Sequence, residues 1–427
     1  MSNRRQIIKN TTFSFILNLS LRAAGTLTFI AIGRLSQPAD AGTFSLALGY
    51  LAILNTLFLG LDDVLVRECT RMPQRTAELA VTYGVLRVVA SLTAWLTLLI
   101  VLAALGLYST GEWIALAVIT SSILFDTFSS IGQSIMYSRD SFGWPLVATA
   151  VTSVVRVSGA LLALLSQRGL LAVALAWPIG SVVGVFVIIV PLMPVLRELG
   201  GWRVFRFDGP LARELWRAIR GFSVVSILAG LEYQLDVILL SILLSRADVA
   251  WYSAAVTIML IVLLISQAYR MVLYPALVRA VHDSPIAARR LVKRSVLVMA
   301  GMALPLAGLI SLAAPYIVQV LYGDKFNAAI PILQVLIWNT VFFFLDVPLV
   351  RFMLASDGQA TVWQTLLLSL GVNVLVNLLL IPQVGAIGAA YARLCSSGLF
   401  CAVMGWHVAR RLHSAATGPV KRVSENL

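Results

Sequence analysis

A set of ionisable side chains lies where the chain is otherwise apolar. Arg22, Arg87, Arg156, Arg270, Arg351 and Arg393 interrupt long runs of Leu, Val, Ala and Ile, as do Asp126, Glu232, Asp236 and Asp346. In a lipid-facing helix each such charge costs roughly 2.5–3.5 kcal/mol. Most must therefore face hydrated space, pair with one another, or reach an interface. Arginine brings a permanent charge and a planar fork of donors that matches phosphate oxygens. A hydrated cavity with arginine in excess over acids would draw an anionic substrate, above all one bearing phosphate. Arg22 and Arg156 fall near mid-span, and Arg270 lies in the inner part of its span. Arg87 and Arg351 lie near inner ends, where snorkelling by Arg87, or a balance between Arg351 and Asp346, competes with a substrate role. Arg393, in the outer part of the last span, is given a structural role. Glu232 and Asp236 are four residues apart, on one helical face, and Asp126 sits midway along its span. Membrane carboxylates are candidate H+ or Na+ sites, or else counter-charges to the arginines, and the residues leave both open.

The elements that must hold these groups follow from composition. Hydrophobic residues make up 59% of the 427 positions and charged residues 12%, against about 25% charged in a soluble domain. Apolar blocks of 18 residues and more match a hydrocarbon core of about 30 Å. An all-α integral membrane protein is expected, with about twelve spans. They are 12–33, 43–66, 80–106, 113–137, 145–166 and 170–193, then 221–244, 249–277, 295–321, 330–355, 360–381 and 385–408. The dyad alternation of a membrane barrel is absent. Lys and Arg outside the spans crowd one set of loops, and the opposite loops hold only Arg34, Arg168, Arg246 and Lys325. This alternation predicts both ends in the cytoplasm. The charge of +13 is mostly this bias, spread over short loops, so a nucleic-acid partner is not expected. The first apolar block follows Arg4, Arg5 and Lys9, and Ala39-Asp40-Ala41 mimics a cleavage site. It is about twenty residues long, however, beyond the usual h-region, and reads as a retained span. Cys69, Cys395 and Cys401, with three histidines, have no metal-ligand spacing. They read as buried free thiols, and no metal or other cofactor is expected beyond a coupling ion.

The segment 196–220 is the longest polar stretch and divides an N-terminal lobe (1–195) from a C-terminal lobe (221–427), each of six helices. Within it, Leu211, Leu215, Ile219 and Phe222 share one helical face, and Arg213, Arg217 and Arg220 the other. That pattern predicts an interfacial helix on the cytoplasmic leaflet. The lobes echo each other. ADAGTFSLA at 39–47 recurs as ADVAWYSAA at 247–255, and GLLAVALA at 169–176 as GAIGAAYA at 385–392. Duplicated units with an even number of spans share one orientation, related by an axis along the membrane normal, with a cavity between them.

Several segments also resemble, in order, those of bacterial oligosaccharide/O-antigen (polysaccharide) flippases. They are GRLSQPADAGTFSLALGY at 33–50, GLDDVLVRE at 60–68, DVILL at 236–240, YSAA at 252–255, LYGDKF at 321–326, NVLVNLLLIP at 373–382 and GAIGAAYAR at 385–393. This family belongs to the superfamily that also holds multidrug (MATE) exporters and lipid II flippases. The resemblance implies a MATE-like fold in the bacterial inner membrane. It implies alternating-access movement of an undecaprenyl-diphosphate-linked oligosaccharide for O-antigen, capsule or exopolysaccharide synthesis, coupled to an ion gradient. Implied partners are the lipid-linked substrate, membrane lipids and other polysaccharide-assembly membrane proteins. On this reading Arg22, Arg156 and Arg270 bind the diphosphate or acidic sugars, and Arg87 and Arg351 stand near the inner entrance. A drug or cation antiporter of the same fold predicts a cavity dominated by carboxylates and aromatic residues. A polymerase or other membrane enzyme predicts a sizeable catalytic loop, and no loop exceeds about 25 residues.

Overall fold

The computed structural model describes residues 24–198, 208–210, 212–213, 230 and 234–417. Every regular element among them is helical. In chain order they are α1 (Ala24–Leu35), α2 (Pro38–Thr56), α3 (Leu59–Arg71), α4 (Thr76–Leu105), α5 (Thr110–Thr120), α6 (Ser122–Ser138), α7 (Gly143–Leu165) and α8 (Gly169–Glu198). There follow α9 (Gln234–Leu243), α10 (Arg246–Asp283), α11 (Pro285–Tyr322), α12 (Ala329–Leu336), α13 (Asn339–Ala355), α14 (Gln359–Val384) and α15 (Ala386–Thr417).

Ten stretches of these helices are long and apolar enough to cross a membrane, and they coincide with ten of the twelve expected spans. The shorter apolar helices α1 and α9 overlap the other two expected spans among the described residues. The expected interfacial helix lies largely outside the described residues. A short helical start at Gly209 and Pro210 is present, and Asp208 docks on α4 through a bond from its backbone N–H to the Thr82 hydroxyl (3.1 Å).

Two helix starts have a plain local cause. Ser109 and Glu112 form a reciprocal capping box that starts α5. Ser284 caps α11, with Pro285 in its first turn. Three spans are broken in their course, α2–α3 at Leu57–Phe58, α5–α6 at Ser121 and α12–α13 at Ile337–Trp338.

The backbone carries the duplication more plainly than the side chains do. Residues with positive φ recur in pairs, Gly106 (62°) with Gly323 (78°), Asp140 (56°) with Asp357 (55°), and Gly169 (75°) with Gly385 (73°). Partners are 217, 217 and 216 residues apart. This half of conformational space is penalised for residues bearing Cβ, and aspartate tolerates it better than most. The breaks in α5–α6 and α12–α13 fall at the same offset, in the fourth span of each repeat.

The described chain forms two compact units, Met1–Ala250 and Trp251–Leu427. In the first, α7 and α8 pack through small residues. Gly159 meets Ala176, while Gly180 and Gly184, a small-xxx-small pair, meet Arg156 and Thr152. Ala80, Ile135, Met136, Ala148, Ile188 and Val195 form an apolar core beside them. In the second unit the core joins Leu273, Leu277, Ala288, Val292, Phe352, Met353, Met404 and Val408. Elsewhere large apolar side chains point outward, Leu312 (84% exposed), Val272 (74%) and Leu165 (70%) among them. A water-facing surface would not carry so many, and a lipid-facing one does.

One reading is corrected here. Cys69 is buried, but Cys401 is only partly so and Cys395 is exposed on α15. Its neighbours Ala392 and Ser396 turn inward, so the helical phase puts position 395 on the outer face.

Candidate functional site

The intramembrane charges fall into two groups of different character. The first is a polar seam inside the first unit. Arg87 on α4 is buried and forms an ion pair with Asp62 on α3. The Tyr83 hydroxyl donates to the same carboxylate (2.7 Å) and accepts from the Arg87 guanidinium (3.0 Å), and the Phe58 ring lies 5.3 Å below that guanidinium. Ser91 and Thr127 continue the seam (2.8 Å). Arg156 on α7 then reaches Asp126 on α6 with Nη2 (3.1 and 3.3 Å) and the Ser181 hydroxyl with the same nitrogen (2.6 Å). Its Nε donates to the Trp177 carbonyl (3.4 Å), and the guanidinium lies 5.6 Å from the Trp177 ring. Asp126 is also within electrostatic range of Arg87. Charges along the seam thus alternate, Asp62, Arg87, Asp126, Arg156.

Asp62 is the residue the sequence reading missed. It lies within a predicted span, as part of Asp62-Asp63, and the signal was there: on α3, Asp62 is partly buried while Asp63 is exposed. A buried ion pair survives only with good geometry and further hydrogen bonds, and both pairs here have them. Arg87 and Arg156 are each neutralised by a carboxylate at contact distance, so neither offers an uncompensated charge.

The second group, in the second unit, has the opposite property. Arg270 on α10 and Arg351 on α13 are both partly buried and close enough for their charges to repel. Among the described residues neither forms an ion pair. Arg351 lies over the ring of Tyr274 (5.6 Å). Asp346 does not provide the balance expected for it, because five residues along a helix places the two side chains on different faces. It lies instead near the Cys401 thiol. Nearby on α10, Tyr269 donates to the Ser295 hydroxyl (3.0 Å).

Asp236 on α9 and Arg393 on α15 are buried and bonded. Arg22 and Glu232 lie outside the described residues. Arg393 belongs to a polar contact between α14 and α15. The Ser396 hydroxyl donates to the Arg393 carbonyl (3.0 Å), Asn373 donates to Ser396 (3.4 Å), Ser369 to the Ser396 carbonyl (2.8 Å), and Asn377 to the Asn373 carbonyl (2.9 Å). Asn373 and Ser369 of α14 therefore join it to Ser396 of α15, while these bonds of Asn377 and of the Arg393 carbonyl lie within their own helices. No group of three or more His, Cys, Asp or Glu placed to hold a metal occurs among the described residues.

Comparison with known proteins places this arrangement in context. Residues 31–331 match the family model described as polysaccharide biosynthesis protein. No curated protein matches the chain in sequence. Among solved structures, the chain is similar to the inward-facing conformation of a multidrug resistance MATE family transporter of the MOP superfamily. The TM-score is 0.77 and the identity 15%, over 95% of this chain and 100% of that one. It is likewise similar to the lipid II flippase MurJ in an inward closed conformation, with TM-score 0.77, 13% identity, and 93% and 87% of the two chains covered. A MOP superfamily transporter from Pyrococcus furiosus, described for the reverse polarity of its binding pocket, gives a TM-score of 0.66 at 15% identity, over 97% and 96% of the chains. The fold is thus that of the MATE and MurJ structures, and the chain is a multi-pass membrane protein.

Proposed function

The chain belongs to the polysaccharide biosynthesis protein family, and from that premise we propose that it is a flippase. Its cargo is an undecaprenyl-diphosphate-linked oligosaccharide, moved across the bacterial cytoplasmic membrane by alternating access. The observation that carries the reading is the Arg270–Arg351 pair. Two partly buried guanidiniums within electrostatic range of one another, without an ion pair among the described residues, are the kind of site that a bound anion would stabilise. A diphosphate offers each a set of oxygens for charge-assisted hydrogen bonds. The paired Arg87 and Arg156 keep the first unit's helices together, and their part in binding is secondary. The same polarity argues against a drug or cation antiporter, since the membrane acids Asp62 and Asp126 are engaged by arginine. Nothing in this reading makes the protein an enzyme: the lipid-linked substrate is carried unchanged. Coupling to H+ or Na+ through Asp126, Glu232, Asp236 and Asp346 is part of the proposal, as are membrane lipids and other polysaccharide-assembly proteins as partners.

Binding of undecaprenyl diphosphate to the purified protein in lipid nanodiscs tests it. A hydrogen bond to a charged group contributes roughly 1.5–3 kcal/mol, so Arg270→Ala and Arg351→Ala should each weaken binding at least about ten-fold. Unchanged affinity in both variants, with the protein still inserted and monodisperse, overturns the assignment.

A further inference from the structure

One part of the molecule remains without a role, the repeated segments at 39–42 and 247–250. Within the first unit they meet. The end of that unit is built from the first turns of α2, α5 and α10 and the last of α4. This is the end away from the basic loops at Arg71, Arg75 and Arg139. A methyl group at Gly42 would collide with the Arg246 carbonyl and come within 3.3 Å of the Ala250 nitrogen. Gly42 and Ala250 hold equivalent places in the repeat.

Around this close approach, Arg246 makes a clasp. Its Nε donates to Glu112 Oε1 (3.1 Å), Nη2 to the Leu107 carbonyl (2.9 Å) and Nη1 to the Ser241 carbonyl (2.6 Å). The guanidinium lies 4.6 Å from the Tyr108 ring centre, and the Tyr108 hydroxyl bonds that of Tyr50 (2.9 Å). Glu112 is divided between two tasks, since its other oxygen accepts from the Ser109 backbone (2.8 Å) and hydroxyl (3.0 Å). One side chain of α10 thus holds the α4–α5 turn and the end of α9.

The junction is closed by small residues and by polar bonds at a helix terminus. Once this end is hydrated, water can take the place of each acceptor, so the net cost of parting is well below the gross strength of the bonds. Moreover α10 begins in this unit and its sequence runs on into the second.

We propose that the Arg246 clasp is a reversible latch, holding the first turn of α10 against α2 and the α4–α5 turn while this end is shut, and releasing it to open an aqueous path there. The inference rests on alternating access but not on the cargo, and its readout involves no substrate, so the two readings fail separately.

The test uses the full chain with Cys69, Cys395 and Cys401 replaced by alanine. Ser241→Cys serves as a buried reporter behind Arg246 (3% exposed), and Ala160→Cys on α7 (0%) as a control. Labelling by a membrane-impermeant maleimide is followed in intact cells. Arg246→Ala and Glu112→Gln should each raise the rate at position 241 about ten-fold, equivalent to about 1.4 kcal/mol, and leave position 160 unchanged. Gly42→Val, which wedges the segments apart without touching a charge, should act in the same direction. The swap Arg246→Glu with Glu112→Arg should bring the rate back toward the parent's. An unchanged rate in Glu112→Gln and Gly42→Val overturns the proposal, and these variants decide the matter if Arg246→Ala fails to insert. An equal rise at position 160 also overturns it, since that marks general loosening.

Discussion

Substitution Gly180→Ala concentrates the packing of the first unit into one methyl group. Built on the backbone, its Cβ stands 2.6 Å from Arg156 Cγ, 3.1 Å from the Thr152 carbonyl oxygen and 3.4 Å from Arg156 Nε. Ordinary contact begins near 3.4 Å, so the arginine must retreat by about an ångström or α7 and α8 must separate. Retreat is costly because Arg156 is tied to Asp126, Ser181 and the Trp177 carbonyl. Overpacking of this kind costs roughly 1–3 kcal/mol, and weakening one charge-assisted bond adds up to about 1–2 in a membrane interior. A loss of about 2–4 kcal/mol is expected, measured as unfolding free energy by steric trapping in bicelles. The decisive arm is the same substitution in an Arg156→Ala background. With Cγ gone the main collision disappears, and the cost of Gly180→Ala should fall by at least about 1 kcal/mol, within the range of coupling seen for residues in contact. Equal cost in both backgrounds, or no cost in either, refutes the reasoning.

Other consequences are simpler. Gly371→Ala in α14 meets nothing within 4 Å, so it should be neutral or stabilising by up to about 1 kcal/mol in the same unfolding measurement. Asp62→Asn strands the buried Arg87 guanidinium and should cost roughly 3–5 kcal/mol. Asp63→Asn, one residue away and exposed, should stay within about 0.5 kcal/mol of the parent. Ser109→Ala removes the capping acceptor of α5 and should cost about 1 kcal/mol, read as faster amide hydrogen exchange in residues 110–113.

The membrane class and most spans were legible because lipid imposes length and composition on a helix directly. Repeat structure was legible only as faint echoes such as ADAG and ADVA. Its firmer record, the paired positive-φ positions Asp140 and Asp357, is a backbone property that side-chain identity only hints at. The breaks at Ser121 and Ile337–Trp338 carry no glycine or proline and gave no warning. Pairing was the least legible of all. Arg87 meets Asp62 and Arg156 meets Asp126 across different helices, 25 and 30 residues apart, and no helical period reports that. As a result the sequence ranked Arg156 beside Arg270 as a substrate ligand, whereas their surroundings differ in kind. The resemblance-bearing Asn373 proved to join α14 to α15 through Ser396, and Asn377 bonds back to Asn373 within α14, so part of the family pattern serves helix packing.

On the function proposed above, the Arg270–Arg351 pair moves a lipid-linked anion. The most direct test is the leaflet distribution of undecaprenyl-diphosphate-linked repeat units in cells that lack this chain. Accumulation facing the cytoplasm is expected, relieved by the wild-type protein and not by an Arg270→Ala/Arg351→Ala variant inserted at equal level. An unchanged distribution on removal of the protein, or full relief by that variant, would contradict that function.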